Sequence, residues 1–289
     1  MLSSPPYNIA KEYEEPLTLQ AYQALQLSIL QEATRTLRPG GSLCWQVGTS
    51  FLGDEMLPLD CIIHALVSSS ALRHELQLRN RIIWSFEHGF HTRRRFSGRY
   101  ETILWYTKGE NYTFNLDSVR IPQKYPGKKA WKGPRAGQLS GHPLGKNPSD
   151  FWNVPQCDVW PIPNVKHNHI EKVDHPCQFP IELCSRLILA LTDRHEIVID
   201  PFGGVGTTAA AAVMLDRRAI SIDRIARYSA QARKRVRDAY EGTLEFRASR
   251  PILEPDSASN LARLPASFAA ARRLAAPSSG HDNSSSTSI

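Results

Sequence analysis

The stretch Ile199-Asp200-Pro201-Phe202-Gly203-Gly204-Val205-Gly206-Thr207-Thr208 leaves an apolar run, passes three glycines and enters a segment rich in alanine. Residues 197–199 read as a buried strand ending at Asp200, and the next helix begins near Thr207. Strand, glycine turn and helix in that order put the turn outside the strand's carboxyl end, where open α/β sheets bind nucleotides. Glycines there let a ligand reach the backbone without interference from a Cβ. Asp223 stands 17 residues beyond Gly206 and closes the next strand, where a carboxylate can accept both hydroxyls of a ribose. The run Gly204-Val205-Gly206-Thr207-Thr208-Ala209 also satisfies the dinucleotide pattern GxGxxG/A, so these residues alone leave a nicotinamide or flavin enzyme open.

Outward from the turn the α/β rhythm continues. A strand over 219–222 ends at Asp223 and a basic helix spans about 225–240, while upstream a helix over about 180–192 carries Leu183, Leu187, Ile188 and Leu191 on one face. Nearer the N-terminus, Tyr22, Leu25, Ile29, Ala33 and Leu37 recur at helical spacing over 17–37, Arg38-Pro39-Gly40-Gly41 stops that helix, and 43–47 follows as a short buried strand. Residues 60–76 read as another helix, and 81–86 and 101–106 as two strands that pair. From about 108 to 174 no period persists and Pro, Gly, Lys, Asn and Trp dominate, the mark of an irregular insertion. Beyond 250 the chain turns to Pro, Ser and Ala, a low-complexity tail expected to be disordered apart from a short helix near 261–274.

Composition agrees with a folded, basic domain. The 289 residues carry 35 Lys+Arg against 28 Asp+Glu, a formal charge of +7, with 41% hydrophobic residues, which excludes collagen, coiled coil and wholesale disorder. The longest apolar run, 209–215, is far shorter than the ~20 residues of a membrane-spanning helix. The opening Met1-Leu2-Ser3-Ser4-Pro5-Pro6 has neither the basic flank nor the apolar stretch of a secretory signal, so the expected location is the cytoplasm. The five cysteines form no CxxC pair, and Cys157, His167, His169 and Cys177 match no usual zinc spacing, so no metal is expected.

Near the start stands Ser4-Pro5-Pro6-Tyr7. Alone, Pro-Pro-Tyr reads as a polyproline segment or an adaptor ligand. Together with Phe202, Gly204 and Gly206, which match FxGxG, it resembles the amino-methylating DNA methyltransferases, whose (Asp/Asn/Ser)-Pro-Pro-(Tyr/Phe) loop is catalytic and whose FxGxG loop binds S-adenosylmethionine. His175-Pro176-Cys177-Gln178-Phe179-Pro180 is similar to the family's His-Pro-x-x-x-Pro segment, and the runs 99–108 and 145–152 also look familial. The resemblance covers about 3–240. Its order, tetrad first and cofactor loop last, is that of the β class of a bacterial or phage enzyme.

The resemblance implies a Rossmann-like α/β fold, a mixed sheet flanked by helices, in a methyltransferase domain over 1–250 with a target-recognition insertion at about 85–170 and the tail at 251–289. It implies that Ser4 and the carbonyl of Pro5 accept the two hydrogens of an exocyclic amino group, that Tyr7 stacks on the flipped base, and that Pro6 completes the loop. The amino lone pair is delocalised into the ring and the base is paired in the duplex, which is why flipping and aiming are needed. The cofactor-binding set implied is His175, Pro176, Phe179, Pro180, Asp200, Pro201, Phe202, Gly204, Gly206, Thr207, Thr208 and Asp223. Serine at the head of the tetrad is more usual in N4-cytosine enzymes and aspartate in N6-adenine enzymes, so cytosine is favoured and adenine stays open. A truncated, inactive DNA-binding relative is the third reading.

Duplex DNA is the implied partner, with a cognate restriction endonuclease where the enzyme serves a restriction system. From Arg79 to Arg135 thirteen basic residues face four acidic ones, an excess larger than that of the whole chain, interleaved with Trp84, Phe90, Phe96, Tyr125 and Trp131. Arg93, Arg94, Arg95, Lys128, Lys129, Lys132 and Arg135 are the expected phosphate contacts. One departure stands out: relatives lead into the tetrad with an apolar strand, and only Met1, Leu2 and Ser3 precede Ser4, so that strand is expected to be absent and the chain truncated there.

Overall fold

Alternate residues of one strand, β2 (Ser42–Val47), feed two separate cores. Leu43, Trp45 and Val47, with Leu104 and Tyr106, pack on Tyr22, Leu30 and Ala33 of α1 (Leu19–Thr36) and Leu59, Ile63 and Val67 of α2 (Leu59–Ser69). Cys44, with Ile82, Trp84, Ile103 and Trp105, faces α3 (Ile181–Leu191) and α4 (Thr207–Met214). A sheet apolar on both faces must be covered on both, which makes a three-layer α/β architecture. The structure, a computed structural model, describes residues 1–86, 91–152, 162–166 and 169–247. Glu87, Phe90, Cys157, His167, the tail from 251 and its expected short helix lie outside them.

The main sheet has the spatial order β1 (Leu2–Ser3), β2, β6 (Tyr100–Lys108), β5 (Leu76–Ser85), β7 (Phe151–Trp152). β1 is parallel to β2, β6 antiparallel to both its neighbours, and β7 parallel to β5. A hairpin of β3 (Thr49–Leu52) and β4 (Glu55–Pro58) follows β2, and β8 (Ile197–Asp200) pairs in parallel with β9 (Arg218–Ser221), after which α5 (Ala226–Tyr240) closes the order. β1 lies beside β8, and their last residues are joined, Ser3 Oγ donating to Asp200 Oδ1 at 2.5 Å.

The strand expected to be absent is therefore present. Leu2 pairs with Cys44 and Ser3 with Trp45, both buried, and the Met1 ammonium donates to the Ser42 carbonyl at 2.6 Å. Two other expectations need correction. The buried stripe of α1 is Tyr22, Gln26, Leu30 and Ala33; Gln26 is enclosed because its Oε1 accepts the Trp45 indole N–H at 3.2 Å, and Leu25 is turned out. The helix expected to reach residue 76 stops at Ser69; Ser70 Oγ caps a 3-10 turn over Ala71–His74, and Leu76 already opens β5.

Two compact units divide the chain, one of Met1–Val119 with Pro148–Pro251, the other of Arg120–Asn147 with 252–289. β7, within the span expected to be insertion, belongs to the first unit and its main sheet. The described part of the second unit is irregular, tied by paired amides between Ile121 and Lys146 and by Ala130 with Gln138 and Gly137. Among the described residues no helix is long and apolar enough to cross a membrane.

Candidate active site

Because Ser3 ends β1 and Asp200 ends β8, which lies beside it, the tetrad and the glycine loop start side by side. Asp200 is the pin. Its Oδ1 accepts from Ser3 Oγ and from the Phe202 amide (3.1 Å), and its Oδ2 from Thr208 Oγ1 (2.7 Å). Burial pushes its carboxyl above the ordinary range, and these hydrogen bonds pull the other way. Asp200 and Thr208 thus act from beneath the loop, and so does Thr207, whose hydroxyl accepts from Arg235 Nη1 at 3.0 Å while the same nitrogen holds the Val205 carbonyl at 2.8 Å. Pro201 and Phe202 are half-buried in the turn, Phe202 edge-on to Trp45 at 6.1 Å.

Gly206 enters α4 at φ +77°, and a Cβ on it would lie 2.8 Å from that of Ala232 on α5, so both conformation and space demand glycine. Gly204, at φ +50°, donates its amide to Asp223 Oδ2 at 2.9 Å, and Ile225 donates to Oδ1 at 2.7 Å. The His175 ring covers Gly204, its Nε2 3.2 Å from where a Cβ would stand. It stacks on Tyr13 (5.5 Å, 11°) and meets Tyr228 edge-on at 4.6 Å. Its Nδ1 accepts the Cys177 amide, so the neutral ring carries its proton on Nε2, and burial holds its pKa below the usual histidine value. Pro176 is exposed, Phe179 packs half-buried on the core, and Pro180 caps α3.

On the tetrad side, Pro5 is buried and Ser4, Pro6 and Tyr7 are half-buried. Ser4 Oγ lies 3.0 Å from the Tyr7 hydroxyl, which donates to Glu101 Oε2 at 3.3 Å; Gln46 Nε2 donates to the same oxygen at 2.6 Å. Gly48 leaves room for the tyrosine ring, since a Cβ there would stand 2.9 Å from it. Glu14 gathers the backbone that follows, accepting the amides of Tyr7 and Asn8 on Oε1 and of Ile9 and Lys11 on Oε2. That clasp supports left-handed backbone at Asn8 and Ala10, φ +58° and +55°.

A family model described as DNA methylase matches residues 1–234. The chain belongs to the DNA methylase family. It is 44% identical over 219 residues to the Type II methyltransferase M.BglII of Bacillus subtilis, an alignment that takes in 75% of this chain and 57% of that protein. The fold is shared with the PvuII DNA methyltransferase (cytosine-N4-specific), at TM-score 0.61, 18% identity and 84% coverage of each chain. It is shared too with a DNA modification methylase from Thermus thermophilus complexed with S-adenosyl-L-methionine, at TM-score 0.54, 22% identity and coverage of 83% of this chain and 86% of that one.

In this DNA methylase family member the structure adds residues that the sequence did not single out for the site: Gln46, Glu101, Glu14 and Tyr13. Glu101 carried one signal, an acid opening the apolar strand run Thr102-Ile103-Leu104-Trp105-Tyr106, whereas Glu14 sits in Glu12-Tyr13-Glu14-Glu15, which reads as a solvated acidic patch. Glu12 instead accepts from the Tyr228 hydroxyl at 2.5 Å and from Arg227, tying the segment after the tetrad to the start of α5. The basic candidates fall in two groups. Arg93, Arg94 and Arg95 are exposed in the loop before β6, Arg95 lying 4.3 Å over the Phe51 ring; Lys128, Lys129, Lys132 and Arg135 are exposed on the second unit, around a bare Trp131.

Proposed function

We propose that the chain is a site-specific DNA methyltransferase that uses S-adenosylmethionine to methylate the exocyclic amino group of a flipped base, cytosine N4. The carrying observation is the Ser3–Asp200 junction, which sets an amino-orienting tetrad beside a glycine loop on neighbouring strand ends. The loop suits the cofactor. Gly204 and Gly206 keep its backbone bare, and Asp223, oriented by two amides, keeps a lone pair on each oxygen for ribose hydroxyls. A cavity of about 670 Å³ is lined mainly by α4 and α5, among them Ala209, Val213, Ala232 and Val236, and takes in Gly204 and Asp223. His175, Pro176, Phe179 and Pro180 would hold the methionine end. When bound, S-adenosylmethionine supplies an electrophilic methyl group on sulfonium.

The chain's own work is positioning. Ser4 Oγ and the Pro5 carbonyl accept the two amino hydrogens and so turn the nitrogen lone pair toward the glycine loop. Tyr7, propped by Gly48 and Glu101, offers its ring to the base face. Five cysteines need supply no nucleophile, because transfer is a direct displacement. Duplex DNA is the substrate, and where the chain serves a restriction system a cognate endonuclease shares its target.

The test is transfer from labelled S-adenosylmethionine to unmethylated genomic DNA, followed by nucleoside mass spectrometry. N4-methylcytosine is expected. N6-methyladenine would keep the reaction and overturn the base; no methylated nucleoside from folded protein would overturn the reaction.

A further inference from the structure

The tetrad's serine and tyrosine are the open end of a chain of polar groups that runs inward to a buried carboxylate, and the direction of that chain has a chemical consequence. Ser4 Oγ meets the Tyr7 hydroxyl at 3.0 Å, that hydroxyl meets Glu101 Oε2 at 3.3 Å, and Gln46, 2% exposed, meets the same oxygen at 2.6 Å. A hydroxyl has one proton to give. While Glu101 is ionised it accepts the hydrogen bond of the Tyr7 hydroxyl, so the Tyr7 oxygen is left to accept from Ser4, and the Ser4 lone pairs stay free for an incoming amino hydrogen. Once Glu101 is protonated the order can reverse: the acid donates to Tyr7, Tyr7 donates to Ser4, and one Ser4 lone pair is taken.

We infer that Glu101 is a positioning residue whose ionisation sets the polarity of the Ser4–Tyr7 hydrogen-bond chain and so decides whether both Ser4 lone pairs, or only one, are open to the target amino group. The inference rests on the methyltransferase reading and names a residue that the tetrad depends on without its touching the base. The groups that face Glu101 are Tyr7 from the tetrad loop, Gln46 from β2, and Cys177 from the His175 segment, none of which supplies positive charge. Burial therefore raises the acid, with only the Gln46 and Tyr7 hydrogen bonds opposing, and protonation falls closer to working pH than for a solvated glutamate.

Two substitutions separate polarity from packing. Glu101→Gln, with its amide oxygen in the place of Oε2, keeps an acceptor for both the Tyr7 hydroxyl and the Gln46 amide, yet it cannot titrate. Glu101→Ala removes the acceptor. With methyl transfer to genomic DNA as the readout, the wild type should lose kcat on the acid side, with KM for S-adenosylmethionine nearly constant. Glu101→Gln should keep kcat within about tenfold and lose that acid limb, while Glu101→Ala should drop kcat by about 100-fold, the scale of a lost positioning contact. Tyr7→Phe, which cuts the chain at its middle, should also lack the limb. An acid limb that persists in Glu101→Gln overturns the inference, as does an unchanged kcat in Glu101→Ala.

A second readout needs no turnover. In protein labelled with 13C at tyrosine Cζ, the Tyr7 resonance, assigned by its loss in Tyr7→Phe, should shift as the pH falls through the titration of Glu101, and should stand still in Glu101→Gln. A Tyr7 signal that does not respond in the wild type overturns the inference whether or not the protein methylates DNA. Absence of transfer with a responsive Tyr7 signal would instead overturn the methyltransferase reading and leave the chain polarity standing.

Discussion

Asp200 and Asp223 follow or end neighbouring parallel strands and differ in what surrounds them. Asp200 is enclosed, with both oxygens taken up by Ser3, Phe202 and Thr208, whereas Asp223 is half-exposed and holds one amide on each oxygen. Asp223→Ala should therefore weaken binding of S-adenosylhomocysteine, read as a smaller ligand-induced rise in Tm, by 10-fold or more; an unaltered ligand Kd would remove Asp223 from the ribose site. Asp200 should show itself through pH. Its carboxyl sits above the unfolded value, so the native state binds the proton more tightly, and stability falls as pH rises from the ordinary carboxylate range through the raised native value. Asp200→Asn escapes that loss, so its Tm relative to wild type should be higher at about pH 8 than at about pH 4.5; a difference that does not change with pH would refute the burial argument. The motifs containing Ser4, Tyr7, Gly204 and Gly206 were legible because their chemistry is local. Glu101, 94 residues from Tyr7, and Gln46, 55 residues from Glu101, were not, because only strand pairing brings them to the tetrad.

At the scale of elements, periodicity served where elements were long. Helices α3, α4 and α5 and strands β2, β6 and β8 were readable to within a few residues. The two-residue strands β1 and β7 were not, since a period of two needs more than two residues to declare itself. β1 is nonetheless the element that joins the tetrad to the glycine loop, through the single hydroxyl of Ser3. Ser3→Ala removes one of the two donors to the buried Asp200 Oδ1, leaving the Phe202 amide, and should cost about 1–3 kcal/mol in urea unfolding, the scale of a hydrogen bond to a charged group. It should also lower kcat more than it raises the KM for cofactor, because the tetrad shifts while the loop keeps Thr208 and Asp223; loss of cofactor binding alone would contradict that division. Gly206→Ala should fail differently, since φ +77° and the Ala232 contact force the loop itself to move. Its signature is lost cofactor binding together with lower stability.

Over the whole molecule the charge of +7 is unevenly placed, and the two exposed basic groups belong to different units. Each arginine or lysine that neutralises a phosphate releases about one counterion, so the slope of log affinity against log salt counts such contacts. Arg93, Arg94 and Arg95 lie in the described segment that leads into β6, the strand that opens with Tyr100 and Glu101, the latter bonded to the Tyr7 hydroxyl. Lys128, Lys129, Lys132 and Arg135 sit on a unit whose backbone is tied mainly to itself, and as exposed side chains they can be removed without touching the fold. Replacing the three arginines by alanine should lower the salt slope for a duplex by up to about 3 and reduce methyl transfer as well as binding. Replacing the four residues of the second unit should lower it by up to about 4. Neither variant should change Tm, because none of the seven side chains is buried. A slope unchanged in the second variant would remove that unit from the DNA interface and leave recognition to the first; a slope unchanged in both would mean that the duplex is held without either basic cluster, and the charge distribution would lose its functional meaning.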